Sequence, residues 1–441
     1  MGVTQALHTG VTGLTVNSDG MSVIANNIAN ASAKGFKKDR AEFEDMLSMD
    51  LNSGAGPAQI GRGARLANVK TLHTQGGMQV TSNLTDVAIQ GQGFFIVSGA
   101  NEDAQQSAGK FYTRVGNLHF DKDGFFADPY GNRIQGYMAD IDGTLSSRLT
   151  DIQIATNSIP PRATDTLNMN VQLDSRAKLV EGDFDIENPE LTSNFSTSVS
   201  VFDSHGRGHQ VTTFFRKINA DEEGTEWEWR AVVDNSEVAD PNSDGNFKEI
   251  ANGSIKFDRL GLLEEEITEE SSVNFNNGAF PDQIINFDFG VNILEEGGSG
   301  LNSSTSIAGK SVTVSHTQDG YESGGLKSLR IGRDGMVTGV YTNGIQRTLS
   351  GIALATFANQ DALEKAGKNR FQGGPEAGPP NIGMPETGTR GALFASSLEE
   401  SNVDLAEEFV QMIMTQRLFQ ANSRSITTTD TMVEEVINLK R

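Results

Sequence analysis

Residues 405–437 read LAEEFVQMIMTQRLFQANSRSITTTDTMVEEVI, and an apolar side chain recurs at every seventh position of this stretch. The repeat consists of Leu405, Met412, Phe419, Ile426 and Val433. A second row, four residues further on, contains Phe409 and Ile437 and is interrupted by Gln416, Ser423 and Asp430. A seven-residue apolar repeat predicts a helix that buries one narrow face against a partner helix, as in a coiled coil.

The first thirty residues carry a matching pattern with alternating spacings of four and three. Its members are Leu7, Val11, Leu14, Ser18, Met21, Ala25 and Ile28. The chain shows no third helix with comparable patterning, so we expect each helix to pair with the other terminus or with neighbouring copies. Internal glycines and the Thr427–Thr429 run lower the helix propensity of both segments. We therefore predict terminal helices that are disordered in the isolated chain and fold on assembly.

Between the two ends, the sequence predicts β structure. Residues 110–139 alternate short β-prone runs with the turn signals DKDG and PYGN, and similar patterns appear at 326–341 and 345–357. The Gly- and Pro-rich segments 52–63 and 373–391 predict loops. The near-symmetric order predicts a multi-domain α+β fold, in which paired terminal helices form a coiled-coil domain and two mostly antiparallel β domains are nested inside each other.

This nesting predicts four parts. Three of them are each built from two separate stretches of chain, and the acidic outer β domain is built from one. The four parts are a terminal helical domain (1–33 and 398–441), connecting loops or extended segments (34–80 and 366–397), an inner β domain (81–165 and 322–365) and an acidic outer β domain (166–321).

The charge of the chain is concentrated in its middle. The net charge is −23, and residues 181–300 carry 26 acidic and 7 basic residues, a net of −19. This composition predicts an acidic, water-facing central domain and argues against a nucleic-acid binder, which needs a basic surface. The chain has no cysteine, which excludes disulfides and thiolate chemistry. Its first twenty residues lack the basic start and apolar core of a cleaved signal peptide.

Candidate chemical sites are few. His205 and His209 have a metal-ligand spacing, but the glycines between them favour a strand–turn–strand. The Asp240–Gly245 loop begins like a calcium loop, yet Ala251 stands where the bidentate Glu is required. An EF-hand is therefore excluded, and a weak surface Ca²⁺ site stays open. The sequence predicts no catalytic residue, no metal site, no cofactor and no enzymatic activity.

The segment ANNIANASAKGFK (25–37) resembles the signature shared by bacterial flagellar rod and hook axial proteins. Residues 401–441 are similar to the C-terminal helix of this family, and residues 84–97 and 111–137 are similar to its inner segments. Residues 201–215 and 318–359 resemble segments of the hook branch of the family. Rod subunits of this family are shorter and lack an inserted central domain of this kind. The motif residues carried over are Asn26, Asn27, Asn30, Gly35 and Phe36.

This resemblance implies a structural subunit that polymerises into the flagellar hook, a curved flexible tube that acts as a universal joint between rod and filament. It implies an extracellular location, reached by type III export without a cleaved signal peptide. The implied partners are further copies of the chain, the rod, hook cap and hook–filament junction proteins, and the export apparatus, with neither nucleic acid nor membrane insertion. The expected subunit-interface residues are Leu7, Val11, Leu14, Met21, Ile28, Leu405, Phe409, Met412, Phe419, Ile426 and Val433.

Two alternatives stay open from the sequence. One is a distal rod subunit with an unusual insert. The other is a secreted surface or carbohydrate-binding protein built on the acidic domain, which would leave the two terminal apolar rows without a purpose.

Overall fold

The computed structural model describes residues 2–53, 56–99, 110–140, 142–154, 158–240, 245–294 and 303–439. The chain forms two compact units. The terminal unit comprises Met1–Thr156, Lys327–Val340 and Gln346–Arg441, and the central unit comprises Asn157–Leu326 and Tyr341–Ile345. Terminal helices combined with many antiparallel sheets give a multi-domain α+β protein, as the sequence predicts. The finer four-part division stays a prediction.

The N-terminal half of the terminal unit begins with one long helix and continues as short strands. These elements are α1 (Gly2–Ala29), β1 (Asp39–Asp45), β2 (Met49–Ser53), β3 (Gly56–Ile60), β4 (Ala64–Thr71), β5 (Met78–Val80), β6 (Val87–Gln90), β7 (Phe94–Ser98), β8 (Phe111–Thr113), β9 (His119–Phe120), β10 (Phe126–Ala127), β11 (Arg133–Ala139) and β12 (Leu145–Asp151).

The central unit contains two sheets. Its strands are β13 (Thr166–Asp174), β14 (Phe195–Phe202), β15 (Gly208–Ala220), β16 (Gly224–Asp234), β17 (Phe247–Asp258), β18 (Leu263–Val273), β19 (Gln283–Ile284), β20 (Asn286–Asp288), β21 (Thr305–Ile307) and β22 (Val312–Gln318), with a 3-10 helix at Asn235–Glu237. Strands β14 to β19 form an antiparallel sheet in sequence order, and β13 pairs with β20, β21 and β22 in the other. Alternate residues of β16, including Trp227 and Trp229, are buried in the core between them.

The C-terminal half of the terminal unit returns to the large sheet and ends in a second long helix. It consists of β23 (Leu326–Ile331), β24 (Met336–Tyr341), β25 (Gln346–Ile352), β26 (Leu354–Thr356), β27 (Leu363–Lys365), β28 (Arg370–Gly373), β29 (Asn381–Gly383), β30 (Ala392–Ala395), β31 (Ser397–Glu399) and α2 (Leu405–Leu439), with 3-10 turns at Gln360–Ala362 and Pro375–Ala377.

The core of the terminal unit is made by both halves of the chain. Strand β7 is buried along Phe94–Val97 and pairs with β8, β11 and β26. Its Phe94 and Ile96 pack with Phe357 and Phe371 from the C-terminal half. Strands β30 and β31, just before α2, pair with β6 and β5. The terminal unit is therefore closed by contacts between residues about three hundred positions apart.

The two segments predicted to be loops contain regular structure. Strands β2 and β3 form a hairpin across 49–60, of which residues 54 and 55 lie outside the described residues. In the second segment, β29 pairs with β26. These connecting segments thus contain short strands besides irregular chain, since Gly and Pro are also tolerated in short edge strands and turns.

Candidate assembly surface

Helices α1 and α2 pack side by side and run antiparallel. Gly10 lies against Ile426, Gly13 lies against Asn422, and Asn27 hydrogen-bonds Glu408. A Cβ atom on Gly10 would lie 2.7 Å from Cγ1 of Ile426, and one on Gly13 would lie 2.7 Å from Nδ2 of Asn422. The glycines that weaken α1 as an isolated helix are thus the residues that let α2 approach it closely.

The covered positions of α2 recur with spacings of three and four, except between Thr415 and Asn422, where the exposed Phe419 stands at the intervening position. The covered positions are Glu408, Met412, Thr415, Asn422 with the adjacent Ser423, Ile426, Thr429 and Val433, all buried or half-buried. Met412, Ile426 and Val433 belong to the seven-residue row found in the sequence, whereas Leu405 and Phe419 of that row are exposed. The second covered row lies three residues after the first and is polar. Phe409 and Ile437, on the predicted four-residue offset, are 49% and 61% exposed.

The predicted row of α1 lies beside its most covered face. Leu7, Leu14, Met21 and Ile28 are half-buried, and Val11 is exposed. The most covered positions of α1 are Gly10, Gly20, Ile24 and Asn27.

The two predicted rows meet in a groove of about 420 Å³ between the helices, which we call the helix groove. Its lining residues are Asn17, Ser18, Met21, Ser22, Ala25, Gln416, Phe419 and Gln420. Members of both rows, Ser18, Met21 and Ala25 from α1 and Phe419 from α2, therefore line one uncharged groove that a single chain leaves open.

A second exposed apolar row on α2 was missed from the sequence. Val410, Met414 and Leu418 follow one another at four-residue intervals and are 57%, 60% and 56% exposed. We call this row the α2 ridge. The signal was present, since residues at i, i+4 and i+8 share one side of a helix, but the stronger seven-residue repeat concealed it.

The family motif builds the elbow between α1 and the sheets. The buried Asn27 side chain donates to the carbonyl of Asp39 at 2.8 Å, accepts from its N–H at 2.9 Å and donates to Glu408 Oε2 at 3.2 Å. One amide thus joins the end of α1, the start of β1 and the first turn of α2. Asn30 donates to the carbonyl of Asn26 at 2.9 Å and closes the last turn of α1.

Gly35 and Phe36 complete this elbow. Gly35 has φ +67°, and a Cβ there would lie 2.8 Å from the carbonyl carbon of Arg114. Its N–H donates to the carbonyl of Glu399 at 2.8 Å. Phe36 is buried, and Nζ of Lys365 lies 5.0 Å from the centre of its ring.

A buried ion cluster, which we call the terminal junction, lies next to the elbow. Lys37 Nζ lies 2.5 Å from Glu399 Oε1, and Arg114 Nη1 lies 3.2 Å from Glu399 Oε2. The Lys37 and Glu399 side chains are wholly excluded from solvent. Lys37 also donates to the carbonyl of Thr74 at 2.7 Å, and Gly76 N–H donates to Glu399 Oε1 at 3.0 Å. The junction ties the segments that follow α1 and precede α2 to the β structure.

The surroundings of this junction are low in polarity. Burial lowers the pKa of Lys37 even though Glu399 opposes the shift, and burial likewise lowers the pKa of Arg114. Burial and the charges of Lys37 and Arg114 lower the pKa of His73 to about 4, so this imidazole is neutral at pH 7. One carboxylate therefore balances two cations inside the terminal unit, and among the residues that the structure describes it is the one anion within ion-pair distance of both.

In the central unit, His205 and His209, the pair with metal-ligand spacing, have different roles. His205 is exposed in the turn between β14 and β15, which confirms the strand–turn–strand interpretation. His209 is buried, with its ring nitrogens 2.9 Å from Asp203 Oδ2 and 2.8 Å from Glu237 Oε2. Its ring stacks on Phe275 at 3.7 Å between centroids.

Burial raises the pKa of Asp203, but hydrogen bonds from His209, Asn277 and the backbone N–H groups of Arg207 and His205 outweigh it. Together they hold the pKa of Asp203 below its usual value.

Other sites proposed from the sequence find no support in the described residues. Across the described ranges, no group of three or more His, Asp or Glu side chains is arranged to hold a metal ion. Residues 241–244 of the calcium-like loop lie outside those ranges. No helix in the described part of the chain is long and apolar enough to cross a lipid bilayer.

Comparison with protein-family models matches most of the chain. The matches are to Flagella basal body rod protein (residues 7–37), Flagellar hook protein FlgE/F/G D1 domain (88–176), Flagellar basal body protein FlaE D2 domain (172–321) and Flagellar basal body rod FlgEFG protein C-terminal (395–439).

Full-length relatives show the same relationship. The chain is 34% identical to the flagellar hook protein FlgE of Treponema pallidum (strain Nichols), over 99% of this chain and 100% of that one. It is 31% identical to FlgE of Escherichia coli (strain K12), again over 99% and 100%. Among solved structures, the Helicobacter pylori flagellar hook protein FlgE2 shares the fold, with a TM-score of 0.51 and 16% identity over 71% of this chain and 98% of that one. The chain belongs to the flagellar hook protein FlgE family.

Proposed function

We propose that this chain is a structural subunit of the bacterial flagellar hook and that it polymerises through its terminal helices. The observation that carries the proposal is the helix groove, where Met21 and Ala25 of the α1 row and Phe419 of the α2 row line one recess that is open to solvent. In a chain with a net charge of −23, an uncharged surface that leaves apolar side chains open is suited to contact with another copy.

In the assembled tube, α1 and α2 act as a coiled-coil pair at the inner wall, and the β domains are nested outside them. Leu7, Val11, Leu14, Leu405 and Phe419 complete their burial against neighbouring copies. Phe409 lies on an exposed flank of α2 and is also buried against a neighbouring copy. It is not covered by α1, the pairing that the apolar pattern suggested. Met412, Ile426 and Val433 contribute mainly by fixing α2 to α1.

The terminal junction supports this mechanical role. Torque applied to the helices must be transmitted to the β structure. The chain passes from α1 into the β structure at Lys37 and from the β structure towards α2 at Glu399. A buried, hydrogen-bonded ion cluster resists displacement because separating its charges in a low-polarity interior is costly. The acidic, water-facing central unit suits sliding outer contacts, since water-mediated contacts exchange at little free-energy cost. The tube can then bend while it rotates.

The proposed location and partners follow from this role. The subunit lies in the extracellular hook, reaches it through the flagellar type III export apparatus and meets rod, hook cap and hook–filament junction proteins at the two ends of the tube. The match of residues 172–321 to the FlaE D2 model supports a hook subunit over a short rod subunit. An enzymatic role has no support from this family of structural proteins.

The test is electron microscopy of the purified, concentrated chain, in which we expect tubes of uniform width. Phe419→Asp places a charge in the helix groove and should abolish them, because burying an unpaired carboxylate costs several kcal/mol per subunit. Phe280→Asp makes the same change at an exposed phenylalanine of the central unit and should leave tube formation intact. Normal tubes from the Phe419 variant would contradict the role of the groove, and no tubes from the unmodified chain would contradict self-assembly.

A further inference from the structure

The helix groove and the α2 ridge lie on different flanks of the same helix. Successive residues of an α-helix are about 100° apart, which places Val410, Met414 and Leu418 on the far side of the α1 contact from Gln416 and Gln420. A single chain therefore presents an apolar row on one flank of α2 and a recess on the other. Neither surface is covered by another described part of the chain, since the ridge side chains are all more than half exposed and Phe419 of the groove is 43% exposed.

The two surfaces are alike in lacking charge, and the groove has room for apolar side chains. The walls of the groove include Ser18, Ser22 and Ala25, whose short side chains leave space between Met21 and Phe419. The ridge side chains are flexible or branched aliphatic groups, and a row at four-residue intervals is the type of ridge that packs into a groove between helical side chains. The groove lining contains no charged side chain, and neither does the ridge. Two copies of this acidic chain can therefore approach each other here without direct repulsion.

We propose that the α2 ridge of one copy docks into the helix groove of the next, a contact that rests on the proposed self-assembly. The occupant of the groove is thus a second copy of this chain, in a defined orientation. Because ridge and groove are different surfaces, each docked copy still offers a free ridge or a free groove. Such a head-to-tail contact continues as an open helical assembly when its rotation does not close a ring, whereas a self-complementary contact would stop at a dimer.

The absence of cysteine makes the contact directly testable. Ser22→Cys marks the groove, Met414→Cys marks the ridge, and Val80→Cys marks an exposed position outside both. Tubes are assembled from equal mixtures of two single variants and oxidised with copper–phenanthroline, and crosslinked dimers are measured on a denaturing gel. Disulfides form only when the two Cα atoms come within about 7 Å.

We expect dimers from the mixture of the Ser22 and Met414 variants, and only background amounts from either variant alone or from mixtures with the Val80 variant. Efficient crosslinking of the Met414 variant by itself would overturn the proposal in favour of a self-complementary contact. Intact tubes that give no crosslink between groove and ridge would also overturn it, while leaving self-assembly established. A lack of tubes from the unmodified chain would instead refute the proposed function on which it rests.

A charge-pair experiment covers the case in which the cysteine variants do not assemble. Met414→Glu should abolish tubes by placing a carboxylate in the apolar groove, and Ser22→Lys added in the same chain should restore them by supplying a partner charge. Val80→Lys, added instead of Ser22→Lys, should not restore tubes to the Met414 variant, because Val80 is an exposed position outside both surfaces. Failure of Ser22→Lys to restore tubes to the Met414 variant would contradict the docking geometry.

Discussion

The ammonium group of Lys37 and the carboxylate of Glu399 lie 2.5 Å apart in the interior of the terminal unit, although 362 residues separate them along the chain. This pair joins the segment that leaves α1 to the segment that enters α2. Arg114 contacts the same carboxylate from the β structure at 3.2 Å. The two ends of the chain are thus fixed to each other and to the sheets at one buried anion.

Glu399→Gln should destabilise the terminal unit by about 3–5 kcal/mol, because it leaves two buried cations without a counter-charge. Both tryptophans of the chain lie in the core of the central unit, so tryptophan fluorescence monitors that unit alone. In denaturant titrations of the full chain, we expect an earlier unfolding transition by far-UV circular dichroism and an unchanged transition by fluorescence. Glu400→Gln, at a half-exposed neighbour, is the matched control and should change neither transition. Equal effects of the two substitutions would show that the junction contributes no more than a surface ion pair.

Gly35→Ala should destabilise the terminal unit for two separate reasons. The left-handed backbone at φ +67° costs an L-residue roughly 1–2 kcal/mol, and the added Cβ would also meet the backbone of Arg114 at 2.8–2.9 Å. Gly131→Ala provides the comparison, since Gly131 has φ +81° and open space around its Cβ position. We expect Gly35→Ala to lower the free energy of unfolding clearly more than Gly131→Ala, as measured by circular dichroism in denaturant. Similar losses of unfolding free energy in the two variants would mean that the backbone of Arg114 moves away from the added Cβ at no free-energy cost.

The buried Asp203–His209 pair predicts a pH dependence of the central unit. Because the pKa of Asp203 is below its usual value in the folded chain, its ionised form stabilises the fold fully above the usual carboxyl pKa. That stabilisation is lost as the pH falls through the lowered value. His209→Gln removes a hydrogen bond that lowers this pKa. The variant should therefore be less stable than the unmodified chain near pH 7, and the difference should shrink towards pH 3.

Tryptophan fluorescence in denaturant, repeated at several pH values, measures this difference. His205→Gln is the control, because His205 contacts Asp203 through its backbone N–H and its side chain is exposed. This control should follow the unmodified chain at every pH. A difference for His209→Gln that stays constant with pH would show that the ring acts through packing on Phe275 alone.

The sequence predicted the classes of structure better than the contacts between them. The seven-residue row beginning at Leu405 indicates a helix, because helical periodicity is a local property of the chain. The second row of the pattern begins at apolar Phe409, which is 49% exposed, whereas the position covered within the chain is polar Glu408, held by Asn27. The glycines of α1 suggested only a weak helix, because their role depends on the approach of α2. The terminal junction had no sequence signal, since nothing local connects Lys37 with Glu399.

The pairing of β5 with β31 and of β6 with β30 also determines the order in which the chain can fold. The central unit is built almost entirely from one continuous stretch and can fold once that stretch is available. The terminal unit has a high contact order, because strands β5 and β6 pair with β31 and β30, which are among the last residues to be supplied. A chain truncated before Arg390 should therefore show the native tryptophan fluorescence of the central unit, while strands β5 and β6 lack their partners β31 and β30 and stay unpaired. If a subunit is delivered with its N-terminus first, its two terminal segments can fold together only after the last residues have arrived. Such a subunit would therefore present its assembly helices only when the whole chain is available.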